Sequence, residues 1–106
     1  MLTSPDRSGA DGGDVLVADD DPIFRSLMVR RLQQMGARPH EAEDGRIAWD
    51  LVAAEPIDLA LIDLEMPNLK GIELIQCLRG HPRTRHVPIV VITLRTDSRA
   101  LQEALA

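Results

Sequence analysis

The stretch VLVADDDP, residues 15–22, decides the fold of this chain. Four apolar residues predict a short strand that is buried on both faces, and three aspartates follow it directly. Asp21 followed by Pro22 is typical of a helix start, in which the aspartate caps the first turn and the proline occupies its first position. The stretch therefore predicts a buried strand that leads through an acidic loop into a helix.

Two further apolar runs end at polar residues in the same way. Residues 59–62 end at Asp63, and residues 89–92 end at Thr93. Stretches with helical periodicity separate the runs, and this alternation is typical of a parallel sheet. Because ligands of such sheets bind outside the carboxyl ends of the strands, the aspartates after the first and third strands are predicted to converge on one cation site.

The whole pattern is an alternation of four strands and four helices. The predicted strands span 15–18, 37–42, 58–62 and 87–92, and the predicted helices begin near residues 22, 45, 71 and 97. Pro39 favours an edge position for the second strand. Right-handed crossovers then give a doubly wound α/β fold with strand order 2-1-3-4, in which strands one and three are neighbours.

The first helix carries apolar residues at steps of three and four, which indicates one apolar face. This face consists of Ile23, Phe24, Leu27, Met28, Leu32 and Met35. Gly36 follows in the position where a left-handed residue commonly ends a helix.

The composition predicts a single small domain. Residues 1–13 of the 106 are rich in Ser, Gly, Asp and Pro and predict a disordered tail, which leaves 14–106 for the domain. The net charge of −5, without a basic stripe, argues against direct binding to nucleic acid. No apolar run is long enough to span a membrane and no signal peptide is evident, so we expect a cytoplasmic protein.

The predicted cluster of Asp19, Asp20 and Asp63 calls for a cation, since neighbouring carboxylates repel one another unless a positive charge lies between them. Mg²⁺ is the natural candidate, because it binds through few carboxylates and keeps several waters. A magnesium ion beside an aspartate also suits phosphoryl transfer. The Thr93 hydroxyl could then hydrogen-bond an oxygen of a phosphoryl group on Asp63.

Three stretches, VLVADDDP, LALIDLEMPNLKG and VPIVVIT, resemble the receiver domain of two-component response regulators. The resemblance covers residues 15–106 and implies a flavodoxin-like three-layer sandwich. It implies that Asp63 is the phosphoacceptor and Thr93 the switch hydroxyl. The Mg²⁺ ligands that it implies are Asp19, Asp20, Asp63 and the backbone carbonyl of Glu65.

The resemblance also implies a place in a phosphorelay. The phosphoryl group would come from a sensor histidine kinase or a phosphotransfer protein, and an effector would respond to it. Such a domain is a switch that assists its own phosphorylation and dephosphorylation, and it is not a turnover enzyme.

The sequence departs from the family pattern at its end. A fifth strand with its lysine, and a fifth helix, are expected after residue 106, and the one lysine of the chain, Lys70, lies elsewhere. Leu94 stands where the family has a small residue. We therefore expect a receiver domain shortened at its C-terminus, either as a fragment or naturally, with strand four at the sheet edge and able to form a dimer.

Two other functions stay open at this point. A degenerate receiver that docks a partner without phosphorylation is favoured by the absent lysine and by Leu94. An aspartate-nucleophile phosphatase would use the Asp-x-Asp pattern of residues 19–21, but Pro22 and Ile23 stand where such enzymes have small hydroxyl residues.

Overall fold

The computed structural model describes residues 12–92, which form a four-stranded parallel sheet with helices on both faces. The strand order is β2-β1-β3-β4, which confirms the predicted fold class and topology. The elements are β1 (Asp14–Ala18), α1 (Pro22–Gln34), β2 (Arg38–Ala42), α2 (Gly45–Ala54), β3 (Leu59–Asp63), α3 (Gly71–Gly80) and β4 (Ile89–Ile92). The predicted last helix lies outside these residues.

Alternate residues of β1 divide the core into two layers. Leu16 and Ala18 pack with side chains of α2 and α3, whereas Val15 and Val17 pack with side chains of α1. None of the four is more than 2% exposed, so β1 is buried on both faces as predicted. None of the helices in residues 12–92 is long and apolar enough to cross a membrane.

The turn after α1 holds the end of the predicted tail. The Gly12 amide donates to the Gly36 carbonyl at 3.1 Å, and the Arg38 amide donates to the Gly13 carbonyl at 2.8 Å. Gly36 has φ 87°, the left-handed conformation that the sequence predicts there. Residues 12 and 13 therefore belong to the edge of the folded domain.

The apolar face predicted for α1 is divided between core and surface. Leu32 is buried and Met28 packs against the core, but Ile23 and Leu27 are 74% and 59% exposed. Val29, which the predicted face omits, packs against the core instead. A helix that packs on one face of a sheet buries an apolar stripe that covers about 100° of its circumference. The six apolar residues predicted for the face of α1 cover a wider arc than this.

β4 is shorter and more exposed than the sequence predicts. Its pairing begins at Ile89, because the Val87 amide donates to the Thr84 carbonyl at 3.0 Å within the preceding turn. Val90 is 48% exposed. Within residues 12–92, β4 pairs with β3 along one edge and no strand pairs with its other edge.

Trp49 lies in α2 and packs against the core beside the turn that follows α3. Its ring meets the His81 ring edge-on, with centroids 6.0 Å apart and planes inclined by 74°. His81 immediately follows α3, at the end of the sheet opposite the strand-end aspartates.

Candidate metal and phosphorylation site

The three predicted carboxylates come together at the carboxyl ends of β1 and β3. One oxygen each from Asp19, Asp20 and Asp63 can be chosen so that all three lie within 4.8 Å of one another. Asp19 is buried, Asp63 is half-buried and Asp20 is exposed. The three carboxylates therefore concentrate negative charge at a solvent-accessible point on the edge of the sheet.

Hydrogen bonds from backbone amides to aspartate side chains fix the acidic loop between β1 and α1. Asp19 Oδ1 accepts from the Asp21 amide at 2.9 Å, and Asp21 Oδ1 accepts from the Ile23 amide at 3.0 Å and the Phe24 amide at 3.4 Å. Asp21 is thus the helix cap that the sequence predicts. Asp21 therefore caps α1, whereas Asp19 and Asp20 belong to the acidic cluster.

Arg25 also supports this loop, and sequence reasoning missed it. Its Nη1 donates to the Asp19 carbonyl at 2.7 Å, while its Nε donates to Glu41 Oε1 at 3.1 Å. The side chain is 16% exposed, so the contact ties α1 and β2 to the acidic loop. The position of Arg25 one turn after the helix cap is the signal that could have revealed it.

Two carboxylates of the site, Asp63 and Asp19, have a raised pKa. Burial, together with the charges of Asp19 and Asp20, raises the pKa of Asp63 to about 6, against the hydrogen bond from the Glu65 amide. Burial also raises the pKa of Asp19, against the hydrogen bond from the Asp21 amide. Because the site concentrates negative charge, a bound cation would stabilise the ionised carboxylates.

The loop from Leu64 to Lys70 forms one wall of the site. Glu65 donates its amide to Asp63 Oδ1 at 3.2 Å, and its side chain is exposed. An open cleft of about 320 Å³ lies beside the carboxylates and is lined by Asp20, Glu65, Met66, Pro67 and Lys70. The sequence assigns no role to Lys70, yet the structure places it in this cleft.

Gly71 ends the loop because no side chain fits there. A Cβ at this position would lie 2.2 Å from the Asp63 carbonyl oxygen and 2.6 Å from the Leu64 Cα. The need for glycine thus comes from close approach of the backbone to the phosphoacceptor candidate. Thr93, Leu94 and Arg95 lie outside residues 12–92, so the role of Thr93 stays a prediction.

A doubly wound parallel sheet with three carboxylates at its switch point defines a class of α/β domains with an acidic site at the sheet edge. Residues 15–106 match the family described as response regulator receiver domain, and the chain belongs to this family. Receiver domains are typically signalling switches.

The curated relatives contain this domain within longer chains. A probable cyclic di-GMP phosphodiesterase of Vibrio cholerae is 35% identical over 83 residues, which are 78% of this chain and 19% of that protein. Response regulator GtcR of Aneurinibacillus migulanus is 35% identical over 81 residues, 76% of this chain and 32% of that protein. Sensor histidine kinase RcsC of Escherichia coli is 33% identical over 106 residues, 98% of this chain and 11% of that protein. The chain thus spans from a tenth to a third of these relatives.

Solved structures show the same fold. The signal receiver domain of a histidine kinase from Syntrophus aciditrophicus superposes with a TM-score of 0.81 at 26% identity, covering 89% of this chain and 71% of that one. Response regulator TrrA of Thermotoga maritima, in complex with Mg²⁺-BeF, gives a TM-score of 0.78 at 28% identity, covering 88% and 79%.

Proposed function

We propose that this chain is the phosphoacceptor module of a two-component phosphorelay in the cytoplasm. Asp63 takes a phosphoryl group from a phosphohistidine of a sensor histidine kinase or phosphotransfer protein. The observation that carries the proposal is the convergence of three carboxylates beside a solvent-open cleft in a member of the receiver family. We assign the receiver to residues 14–106, preceded by a tail at 1–13 whose last two residues, Gly12 and Gly13, are hydrogen-bonded to the edge of the domain.

The residues of the site fit a hard divalent cation. Asp19, Asp20, Asp63 and the backbone carbonyl of Glu65 would hold Mg²⁺, which is bound by oxygen ligands in proteins. The raised pKa values of Asp19 and Asp63 support this assignment, because two partly desolvated carboxylates gain most from a positive charge. When bound, the ion neutralises phosphoryl oxygens as charge develops on them.

The transfer follows from the chemistry of the carboxylate. An ionised Asp63 oxygen attacks the phosphorus in line, the P–N bond of the phosphohistidine breaks, and the leaving imidazole keeps the electron pair and takes up a proton. With a pKa of about 6, Asp63 is mostly ionised at neutral pH. The Thr93 hydroxyl then hydrogen-bonds the phosphoryl group, and the resulting change alters binding of an effector.

The direct test is phosphorylation by acetyl phosphate. The chain, incubated with acetyl phosphate and Mg²⁺, is expected to gain one phosphoryl group that peptide mapping by mass spectrometry assigns to Asp63. Addition of EDTA should prevent the reaction. An adduct on another residue would refute the assignment, and no adduct with Mg²⁺ present would favour a receiver that docks partners without phosphorylation.

Asp20→Asn is expected to abolish the increase in melting temperature that Mg²⁺ produces, and to raise the melting temperature of the metal-free chain slightly. The variant lacks a ligand, but it also lacks a charge that raises the pKa of Asp63. Melting curves with MgCl₂ and with EDTA test both effects. Asp50→Asn is the control, because Asp50 pairs with Arg46 on the surface of α2. A normal Mg²⁺ response in Asp20→Asn would contradict the metal site.

Ile23→Lys is expected to slow phosphotransfer from a phosphohistidine protein about tenfold or more and to leave phosphorylation by acetyl phosphate unchanged. Pro22, Ile23, Ser26, Leu27 and Arg30 line an open groove on α1, directly after the acidic loop. A protein that reaches Asp63 must cover this first turn, whereas a small donor need not. Rates measured with any purified phosphohistidine protein that phosphorylates the parent chain, with Gln33→Ala as control, test this. Equal losses with both donors would contradict it.

A further inference from the structure

The N-terminus of α2 is joined to the tip of the loop that follows the phosphoacceptor. Asp44 caps α2 with Oδ1, which accepts from the Ile47 amide at 2.8 Å. Its Oδ2 accepts from Asn68 Nδ2, also at 2.8 Å. Asp44 is 8% exposed, and the Ile47 amide and the Asn68 side chain both lower its pKa. One buried carboxylate therefore serves two elements.

The backbone makes a second contact between the same two elements. A Cβ on Gly45 would lie 1.8 Å from the Leu69 carbonyl oxygen, so the loop backbone lies directly against the first residue of α2. Asn68 itself has φ 68°, a conformation that asparagine tolerates better than most residues. The tip of the loop is therefore held in one position by the Asp44–Asn68 hydrogen bond, by the backbone contact with Gly45 and by the conformation of Asn68.

The rest of the loop is attached at its base. The Gly71 amide donates to the Leu64 carbonyl at 3.2 Å, and the Met66 side chain is buried in the core with 5% exposure. Glu65 lies between these fixed points, with its amide on Asp63 Oδ1. The position of the Glu65 backbone is therefore set by the base of the loop and by its tip.

We propose that Asp44 and Asn68 are positioning residues of the Mg²⁺ site, because they hold the loop that carries the Glu65 carbonyl. This inference rests on the proposed function. Mg²⁺ demands near-octahedral geometry at short distances, so a small displacement of one ligand costs affinity. Loss of a hydrogen bond made to a metal ligand itself typically weakens metal binding by about 10–100-fold, and we expect the Asp44–Asn68 bond, which acts through the loop, to lie at the lower end of that range.

The same linkage works in the opposite direction. If the loop position sets metal affinity, then bound Mg²⁺ must strengthen the contact between the loop and α2 by the same factor. Binding of Mg²⁺ would thereby stabilise the first turn of α2. The Ile47 amide donates a hydrogen bond to Asp44. Hydrogen exchange at this amide is expected to slow when Mg²⁺ is added.

Asn68→Gly tests the proposal, since glycine keeps the backbone conformation and removes the amide. Asp44→Ser is the second variant, since serine retains a helix cap without a second oxygen for Asn68. Each is expected to raise the Mg²⁺ dissociation constant about tenfold, as read from amide chemical shifts during MgCl₂ titration. The double variant should lose no more than either single one, because both remove the same bond. Arg46→Ala, on the exposed face of the same helical turn, should bind Mg²⁺ as the parent does.

The outcomes separate this inference from the function on which it rests. Normal affinity in a folded Asn68→Gly or Asp44→Ser, with a parent chain that binds Mg²⁺, would overturn the positioning role and leave the metal site intact. Absence of Mg²⁺ binding by the parent chain would overturn both. Additive losses in the double variant would show that the residues act separately, which also overturns the proposal.

Discussion

Asp63→Asn is expected to abolish phosphorylation and, in the absence of divalent cations, to raise the free energy of unfolding. Phosphorylation stops because an amide is no nucleophile for the phosphoryl group. Stability increases because the ionised carboxyl is disfavoured in the fold: a pKa raised from 3.8 to about 6 corresponds to at most about 3 kcal/mol. Asp63 is partly exposed, so solvent screening reduces the expected gain to about 1–2 kcal/mol.

The pH dependence of this gain has a definite sign. Between pH 3.8 and about 6, unfolded Asp63 has released its proton while folded Asp63 retains it, so the parent loses stability as the pH rises through this window. The Asp63→Asn variant should lose less stability than the parent as the pH rises. The raised pKa of Asp19 accounts for part of the loss that remains in the variant. Urea unfolding in EDTA at pH 4.5 and 7.5 measures the difference. Parallel losses in parent and variant would contradict the assignment, and Asp50→Asn should follow the parent.

Self-association through β4 is the second large effect that we expect for the 106-residue chain. β4 consists of Ile89–Ile92, carries no charge, and within residues 12–92 has an edge that no strand pairs with. Apolar strand edges that no other strand covers pair with other chains, and a lysine on such an edge opposes the pairing. Light scattering during size-exclusion chromatography should therefore show dimers or larger species.

Val90→Lys is expected to shift this equilibrium towards monomer by more than tenfold, because Val90 is 48% exposed on the edge strand. Leu27→Lys is the matched control, since it adds the same charge to an exposed apolar residue on α1. A parent chain that is monomeric at all concentrations and melts cooperatively would refute the role of the edge. Equal effects of the two variants would assign association to general surface hydrophobicity instead.

The strand-end aspartates could be placed from the sequence because two local rules suffice. Buried apolar runs mark the strands, and the carboxyl ends of parallel strands share one edge of the sheet. Asp19 and Asp63 therefore meet although 44 positions separate them in the sequence. The capping role of Asp21 was equally accessible, because it depends on neighbours within three residues.

Features that depend on which elements become neighbours could not be predicted. The helical spacing of Ile23 and Leu27 matches that of Met28 and Leu32, and only the packed sheet decides which pair is covered. The Asp44–Asn68 bond spans 24 positions and joins two loops, so neither residue type signals the other. Long-range polar contacts of this kind follow from the fold and carry no periodic pattern.

Trp49 gives the chain an optical probe that lies away from its acidic site. It is the one tryptophan, the chain has no tyrosine, and its indole lies against His81 at the far end of the sheet. Fluorescence excited near the red edge of protein absorption therefore comes from the α2–α3 contact alone. Emission should change when the core opens in denaturant and stay constant during an Mg²⁺ titration of the folded chain, so the indole reports unfolding without interference from ion binding.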